Sequence, residues 1–256
     1  MPTDSKLTIT ALPNIPLIQR GDDLVAIILR GLGEADIAMQ NEDVLVLASK
    51  IVSKAEGRVV RLTEVQASGR AEAIARETGK DPREIELMLR ESSEVVRTRM
   101  GLVITRHRLG FVCANAGIDH SNVEGGGQDF VILLPENPDA TAHQIRAELA
   151  KQTGKRVGVV IADSHGRPHR TGTMGVAIGC AGLPGLEDQR GRSDLFGYVL
   201  QHTEIALADM IASAGTLLLG QSNEGRPVVH LRGIPFVQRN GSAQELVRAQ
   251  EADLFL

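Results

Sequence analysis

The stretch FVCANAGIDHSNVEGGG, residues 111 to 127, constrains the fold and chemistry of this chain more than any other. A short apolar run, the pattern of a buried strand, passes into a loop that carries Asp119, Ser121 and Asn122 and closes on three glycines. Such a loop sets carboxylate, hydroxyl and amide groups beside exposed backbone N–H groups, a combination suited to a metal-phosphate ligand. VGVVIADSHGRPHRTGT, residues 157 to 173, has the same build: an apolar run delivers Asp163 and Ser164, with Arg167 and Arg170 close behind. Two aspartates at two strand ends, with arginines beyond one of them, are the parts needed to hold a divalent cation and a polyphosphate.

The other elements follow in irregular order. Residues 7 to 18 read as a strand that breaks at Pro13 and Pro16, which cannot donate to a ladder. Helical spacing over 21 to 32 starts behind Asp22 or Asp23 as cap, and the buried strand 44 to 50 is followed by Ser49, Lys50 and Lys54 on the way to a strand over 59 to 62. Residues 68 to 99 are expected to form two helices split by Gly79, the second opened by Asp81 and Pro82. Strands are expected over 101 to 107, 110 to 117 and 129 to 135, then a helix from Asp139 or Thr141 to Gly154. After strands at 157 to 161 and 174 to 182 come a loop over 183 to 197 and a helix over 198 to 215. A strand, a polar turn with Gln221 and Glu224, and a second strand fill 216 to 233. Helices and strands do not alternate regularly, so an α+β architecture with mixed or antiparallel sheets and flanking helices is expected, not a doubly wound parallel sheet. No linker rich in Pro, Gly or Ser divides residues 1 to 256, which are read as one domain.

A formal charge of −4 and 2% aromatic residues argue against a nucleic-acid surface. No apolar run approaches the ~20 residues that cross a bilayer. With no signal peptide in view, Cys113 and Cys180 are read as reduced core residues of a cytoplasmic protein. The common nucleotide signatures GxxxxGK[ST] and GxGxxG are absent. His165 and His169 straddle Gly166 and Pro168, so they cannot share a helix face as a metal pair and are read as polar loop residues. Neither a nucleophile elbow nor a cysteine in a basic setting is visible, which leaves covalent catalysis without a candidate. What remains is carboxylates plus cations: Asp119, Asp163 and Ser164 offer oxygen ligands to Mg²⁺ or Mn²⁺, and Lys50, Lys54, Arg167 and Arg170 could balance phosphate charge.

Seven blocks, IPLIQRGDDL, LASKIVSKAEGR, CANAGIDHSN, ADSHGRPHRTG, AIGCAG, DQRGRSDLFG and GQSNEGRP, occur in the order of the coenzyme F420:L-glutamate ligase family. Over most of its length the chain resembles that family. The resemblance implies a family-specific α+β fold, an intertwined homodimer, GTP as co-substrate, and two divalent metal sites for Mg²⁺ or Mn²⁺, with K⁺ as a further cation. It implies amide-bond formation between L-glutamate and a deazaflavin coenzyme precursor. It also implies Asp119 and Asp163 as ligands of one catalytic metal, with Ser164 and Gln221 at the second. Ile15, Pro16, Leu17, Ile18, Ser49, Lys50, Lys54 and Asn122 then belong to the guanine nucleotide site, together with Gly220, Gln221 and Glu224. Glu224 is a candidate for the base that deprotonates the attacking amine.

The chain departs from the family pattern at four of these positions. His165 and His169 stand where the family carries Phe before and Trp after the GRP turn, Ser164 replaces the usual Thr, and Leu17 the usual acidic residue. The hydroxyl at 164 is retained, so its metal role is expected to survive. The two imidazoles are expected to bear on the acceptor and to leave the metal ligands untouched. Two other classes stay open on residue chemistry: a metal-dependent phosphotransferase or phosphohydrolase, and a non-catalytic GTP-binding protein.

Overall fold

The structure, a computed structural model, describes residues 6 to 123 and 129 to 253. The three glycines at 125 to 127 lie outside the described residues. β1 (Thr8–Ala11) ends before Pro13, and α1 (Leu24–Glu34) begins where Asp23 accepts from the N–H groups of Val25 and Ala26. β2 (Val44–Ala48) passes without a break into α2 (Ser49–Ala55), a short helix in place of the expected polar connection. β3 (Val59–Arg61) precedes α3 (Gly69–Thr78) and α4 (Pro82–Arg90), capped by Ser68 and Asp81. β4 (Ser92–Arg99) replaces the expected end of the second helix. Its Val95, Val96 and Thr98 are β-branched, and pairing with β5 (Leu102–His107) satisfies a backbone whose charge pattern alone suggested a helix. β6 (Val112–Ala114), β7 (Phe130–Ile132) and α5 (Pro138–Thr153) follow, the helix capped by Asn137 and not by the expected Asp139 or Thr141.

β8 (Gly158–Arg167) and β9 (Arg170–Ala181) form a long hairpin. β10 (Glu187–Asp188) and β11 (Glu204–Ile205) close the base of an arm in which Gln189 N–H donates to Thr203 O and Gly191 N–H to Leu200 O. These bonds use the backbone of 198 to 203 as a returning strand, which is why α6 (Leu207–Leu219) starts later than its spacing suggested. α6 also runs through Gly215 and takes up the expected strand 216 to 219. A β-carbon at Gly215 would stand 2.8 Å from Val46, so glycine here lets the helix lie directly on β2. β12 (Val228–Arg232) completes the fold.

The main sheet has the order β1-β12-β2-β8-β9, with β2 and β8 parallel and the other pairs antiparallel, which bears out the mixed α+β architecture. Alternate side chains of its central strands feed two cores. Leu45, Leu47, Val159 and Ile161 pack with Ile28 of α1 and Leu149 of α5, while Val44, Val46 and Val160 pack with Ile211 and Ala212 of α6. Each such Leu, Ile or Val stabilises the fold by roughly 1.5 to 3 kcal/mol relative to exposure. Smaller cores lie under α3 and α4, around Ile85, Met88 and Val103 and around Leu62, Val131 and Leu133. Among the described residues no helix is long and apolar enough to cross a membrane.

Candidate active site

Parallel pairing of β2 with β8 places Ala48 opposite Ala162, so the next residues, Ser49 and Asp163, come out side by side. Ser49 Oγ donates to Asp163 Oδ1 at 2.7 Å. The next residue, Lys50, carries its Nζ 2.8 Å from Asp119 Oδ2 and donates to Ser121 Oγ. Consecutive residues at the start of α2 thus hold the two aspartates, which are far apart in sequence. One helical turn on, Lys54 Nζ donates to Asn122 O at 2.6 Å. Asn115 and Ala116, with φ of 50° and 51°, turn the chain out of β6 toward Asp119, whose backbone exchanges two hydrogen bonds with Ile132. Asp119 Oδ1 accepts from Ser121 N–H at 2.6 Å, which fixes the carboxylate against its own loop.

Asp163 does not lie at a strand end as expected: β8 continues through Ser164, His165 and Arg167. Burial alternates along it, with Asp163, His165 and Arg167 partly covered and Ser164 and Gly166 exposed. His165 is therefore a strand residue, and its Nε2 lies 3.0 Å from Asp163 Oδ2. That contact corrects the expectation that position 165 leaves untouched the residues expected to bind metal, of which Asp163 is one. The ring is steadied by Phe111, 5.1 Å away between centroids, and Phe111 stacks in turn on the buried His107. His169 occupies the hairpin turn with φ of 60°.

On the other face of β8, Ser164 Oγ donates to Gln221 Oε1 at 2.8 Å. Asp163 and Ser164 hence address opposite sides of the strand, in keeping with ligands of two separate ions. Asn122 Nδ2 donates to Ser222 O, which ties the Asp119 loop to the Gln221 loop. Glu224 Oε2 accepts from Ser222 N–H at 2.8 Å and curls back over Gly220. At Gly220, φ is +76°, a backbone conformation that favours glycine, and a β-carbon there would displace the Glu224 carboxylate, whose Cδ would lie 2.2 Å away.

Burial alone would raise the pKa of Asp163, but His165, Ser49 and the Ser164 N–H outweigh it and hold the carboxyl below its usual range. Asp119 is lowered for the same kind of reason, burial being overcome by Lys50 and Ser121. The N–H of Ser222 is the main cause that lowers Glu224. All three are carboxylates at neutral pH. Burial pushes the Cys113 thiol up to about 12, with nearby Asp163 adding to the effect, so it is no thiolate nucleophile.

Among the described residues no three His, Cys, Asp or Glu form a metal-binding group. Two carboxylates, a hydroxyl and an amide oxygen nevertheless fit Mg²⁺ or Mn²⁺. Mg²⁺ in particular is commonly held by one or two carboxylates and completes its shell with water and substrate phosphate.

The expected first nucleotide segment lies between β1 and α1. Ile15 packs its Cδ1 toward Gly31 of α1, Ile18 is buried in the core, Pro16 is exposed, and Leu17 is 88% exposed. Sequence reasoning left out the contacts of Ser121, Ser222 and His165. A period-two reading carried past Asp163 would have paired it with His165, had the strand been extended through Gly166.

A model of the family described as F420-0:Gamma-glutamyl ligase matches residues 13 to 233, which span the whole cluster. The chain belongs to the F420-0:gamma-glutamyl ligase family. Within it, the coenzyme F420:L-glutamate ligase of Methanothermobacter thermautotrophicus is 41% identical over 251 residues, covering 97% of this chain and 98% of the relative. That of Methanopyrus kandleri is 42% identical over 253 residues, covering 97% of each. For Methanocaldococcus jannaschii the figures are 42% over 221 residues, with 86% of this chain and 87% of the relative covered. In this member of the F420-0:gamma-glutamyl ligase family, Ser49 and Lys50 engage the two aspartates, and an imidazole lies beside Asp163.

Proposed function

We propose that this chain joins L-glutamate to a deazaflavin precursor of coenzyme F420 through an amide bond, with GTP as energy source. The observation that carries the reading is the joining of Ser49 to Asp163, Lys50 to Asp119 and Ser164 to Gln221 in one cluster. It occurs in a chain similar over 97% of its length to proteins that bear that ligase name.

A carboxylate does not condense with an amine at neutral pH and must first gain a leaving group. In the proposed sequence a carboxylate oxygen of the acceptor attacks the γ-phosphorus of GTP, the bond to GDP breaks, and an acyl phosphate forms. The glutamate amine then attacks the acyl carbon, inorganic phosphate leaves, and the amine gives up a proton. Mg²⁺ or Mn²⁺, held by Asp119 and Asp163 at one position and Ser164 and Gln221 at the other, would supply charge neutralisation at the phosphates. The chain's own part is positional and electrostatic: Lys50 and Lys54 bring positive charge to the transferring group, and Ser49 fixes Asp163. Glu224, ionised and held at Oε2 by Ser222 N–H, is the carboxylate that would receive the amine proton.

A homodimer accompanies this reading. The arm between β10 and β11 supports it, because Leu195 and Phe196 at its tip are 98% and 96% exposed, with Tyr198 at 62%. Such a tip is a natural element for a second copy of the chain to cover. Phe196→Glu is expected to shift the protein toward monomer in sedimentation, and an unchanged dimer, or a wild type that is monomeric, counts against the arm. The ligase reading itself is tested by mass spectrometry of the products from purified protein, GTP, Mg²⁺ or Mn²⁺, L-glutamate and the deazaflavin precursor. A glutamate-sized mass gain is expected, and GDP formation without it would favour a phosphohydrolase.

A further inference from the structure

The β8–β9 hairpin carries a second group of charges beyond the cluster. Arg167 and Arg170 are register partners across its turn, so two cationic residues stand directly opposite each other, an arrangement that is repulsive in itself. Among the described residues neither is joined to an Asp or Glu. Arg167 Nη1 is also shielded from solvent without a hydrogen-bond partner, which is costly for a charged group. The sheet therefore presents a guanidinium pair that lacks its anion. Arg167 shares a covered face of β8 with Asp163 and His165. Four strand residues at ~3.3 Å each put its Cα roughly 13 Å from that of Asp163, so the pair sits at the turn end of the hairpin, displaced along the strand from the aspartate.

We propose that Arg167 and Arg170 form an oxyanion anchor that grips a carboxylate or phosphate of a ligase substrate other than GTP, at a point remote from the bond being made. Guanidinium groups suit this task because their planar donor forks match such oxyanions with two parallel hydrogen bonds. The identity of the substrate rests on the ligase reading; the existence of the anchor does not. Its role would be to orient a long, anionic substrate by its far end, and not to stabilise the triphosphate as the sequence suggested.

The test uses the full chain with Mg²⁺ and two double variants, Arg167→Gln with Arg170→Gln, and Arg167→Lys with Arg170→Lys. Calorimetric titrations with the deazaflavin precursor, L-glutamate, GTP and inorganic phosphate are run separately. The glutamine variant should lose about 10- to 100-fold in affinity for the precursor or for glutamate, the scale of charge-assisted hydrogen bonds, and keep its GTP affinity. Which titration weakens identifies the source of the oxyanion. Inorganic phosphate should bind the wild type, bind the lysine variant more weakly and fail to bind the glutamine variant. The melting temperature of the ligand-free glutamine variant should hold or rise, because a repulsion has been removed, so loss of binding cannot be put down to unfolding. Unchanged precursor and glutamate affinities, or a loss confined to GTP, would overturn the anchor. If the wild type ligates nothing, the ligase reading falls, while the phosphate titration still decides the anchor: equal phosphate binding in wild type and glutamine variant rejects it.

Discussion

Ser49 Oγ lies 2.7 Å from Oδ1 of Asp163, so the first residue of α2 fixes a carboxylate 114 residues further along the chain. Asp163→Asn keeps the size of the side chain and its ability to accept from Ser49 while removing the charge. It is expected to abolish turnover with an unchanged circular dichroism spectrum. Ser49→Ala leaves the charge and removes its anchor, so Mn²⁺ affinity measured by calorimetry should fall by about 10- to 100-fold, as for other groups that orient a metal ligand. Normal turnover of Asp163→Asn at limiting Mn²⁺ would show that this carboxylate is not a ligand.

Lys54 reaches Asn122 O, and Asn122 reaches Ser222 O, so one ammonium group supports two loops. Lys54→Ala should weaken GTP binding by ~1.5 to 3 kcal/mol, the worth of a hydrogen bond to a charged group, and weaken acceptor binding less. Equal GTP affinity in variant and wild type, measured by calorimetry, would reduce Lys54 to a loop support.

How much of this was legible in the sequence follows from the range over which each signal acts. Asp23, Ser68 and Asp81 cap helices through contacts two or three residues away, and such local chemistry can be read from neighbours. The apolar runs of β2 and β8 likewise announced buried strands. Non-local pairing was not legible: β4 is a strand because β5 lies beside it, and residues 198 to 203 are strand-like because 189 to 192 return their hydrogen bonds. The same limit applied to the site. Asp119, Asp163, Ser164, Lys50 and Lys54 were named from residue chemistry, and Gln221 from the family resemblance. The pairings Lys50 with Asp119 and His165 with Asp163 depend on how β2, β6 and β8 sit together.

Away from the site, two buried carboxylates make stability sensitive to acid. Asp43, 1% exposed, accepts two hydrogen bonds from Arg232 at 2.8 Å and lies 2.9 Å from His230 Nε2. Burial pushes its pKa up, but these partners prevail and lower it from 3.8 to about 2. Glu91 falls from 4.5 to about 2, burial again being outweighed by His107, Arg58 and Arg108. A carboxyl whose folded pKa is depressed stabilises the fold above its unfolded pKa and ceases to do so as pH falls through the folded value. The melting temperature should therefore be flat in this respect above about pH 5 and drop between about pH 4.5 and 2, with on the order of 2 to 3 kcal/mol at stake per group. Glu91→Gln should flatten part of that drop in pH-dependent thermal denaturation. Asp43→Ala should cost about 3 to 5 kcal/mol at neutral pH, because it leaves Arg232 and the buried His230 without their anion. A variant as stable as the wild type would mean that the cluster is not a structural ion pair.

GTP turnover should depend on glutamate and acceptor together. An acyl phosphate exposed to water is lost to hydrolysis, so an enzyme built to transfer it gains from forming it only when the amine is at hand. Steady-state GDP release is therefore expected to rise with L-glutamate in the presence of a deazaflavin acceptor, and to stay near background when either is left out. His165→Phe adds a second reading to the same assay. The substitution removes the imidazole 3.0 Å from Asp163 Oδ2 but can keep a ring against Phe111, so it should alter the concentration of Mn²⁺ that half-saturates turnover and not only the apparent affinity for acceptor. If only the acceptor term moves, His165 faces the substrate and its approach to Asp163 is incidental. If GDP release proceeds at full rate without glutamate and no deazaflavin gains mass, the chain is a phosphohydrolase, and the carboxylate pair serves water as the acceptor.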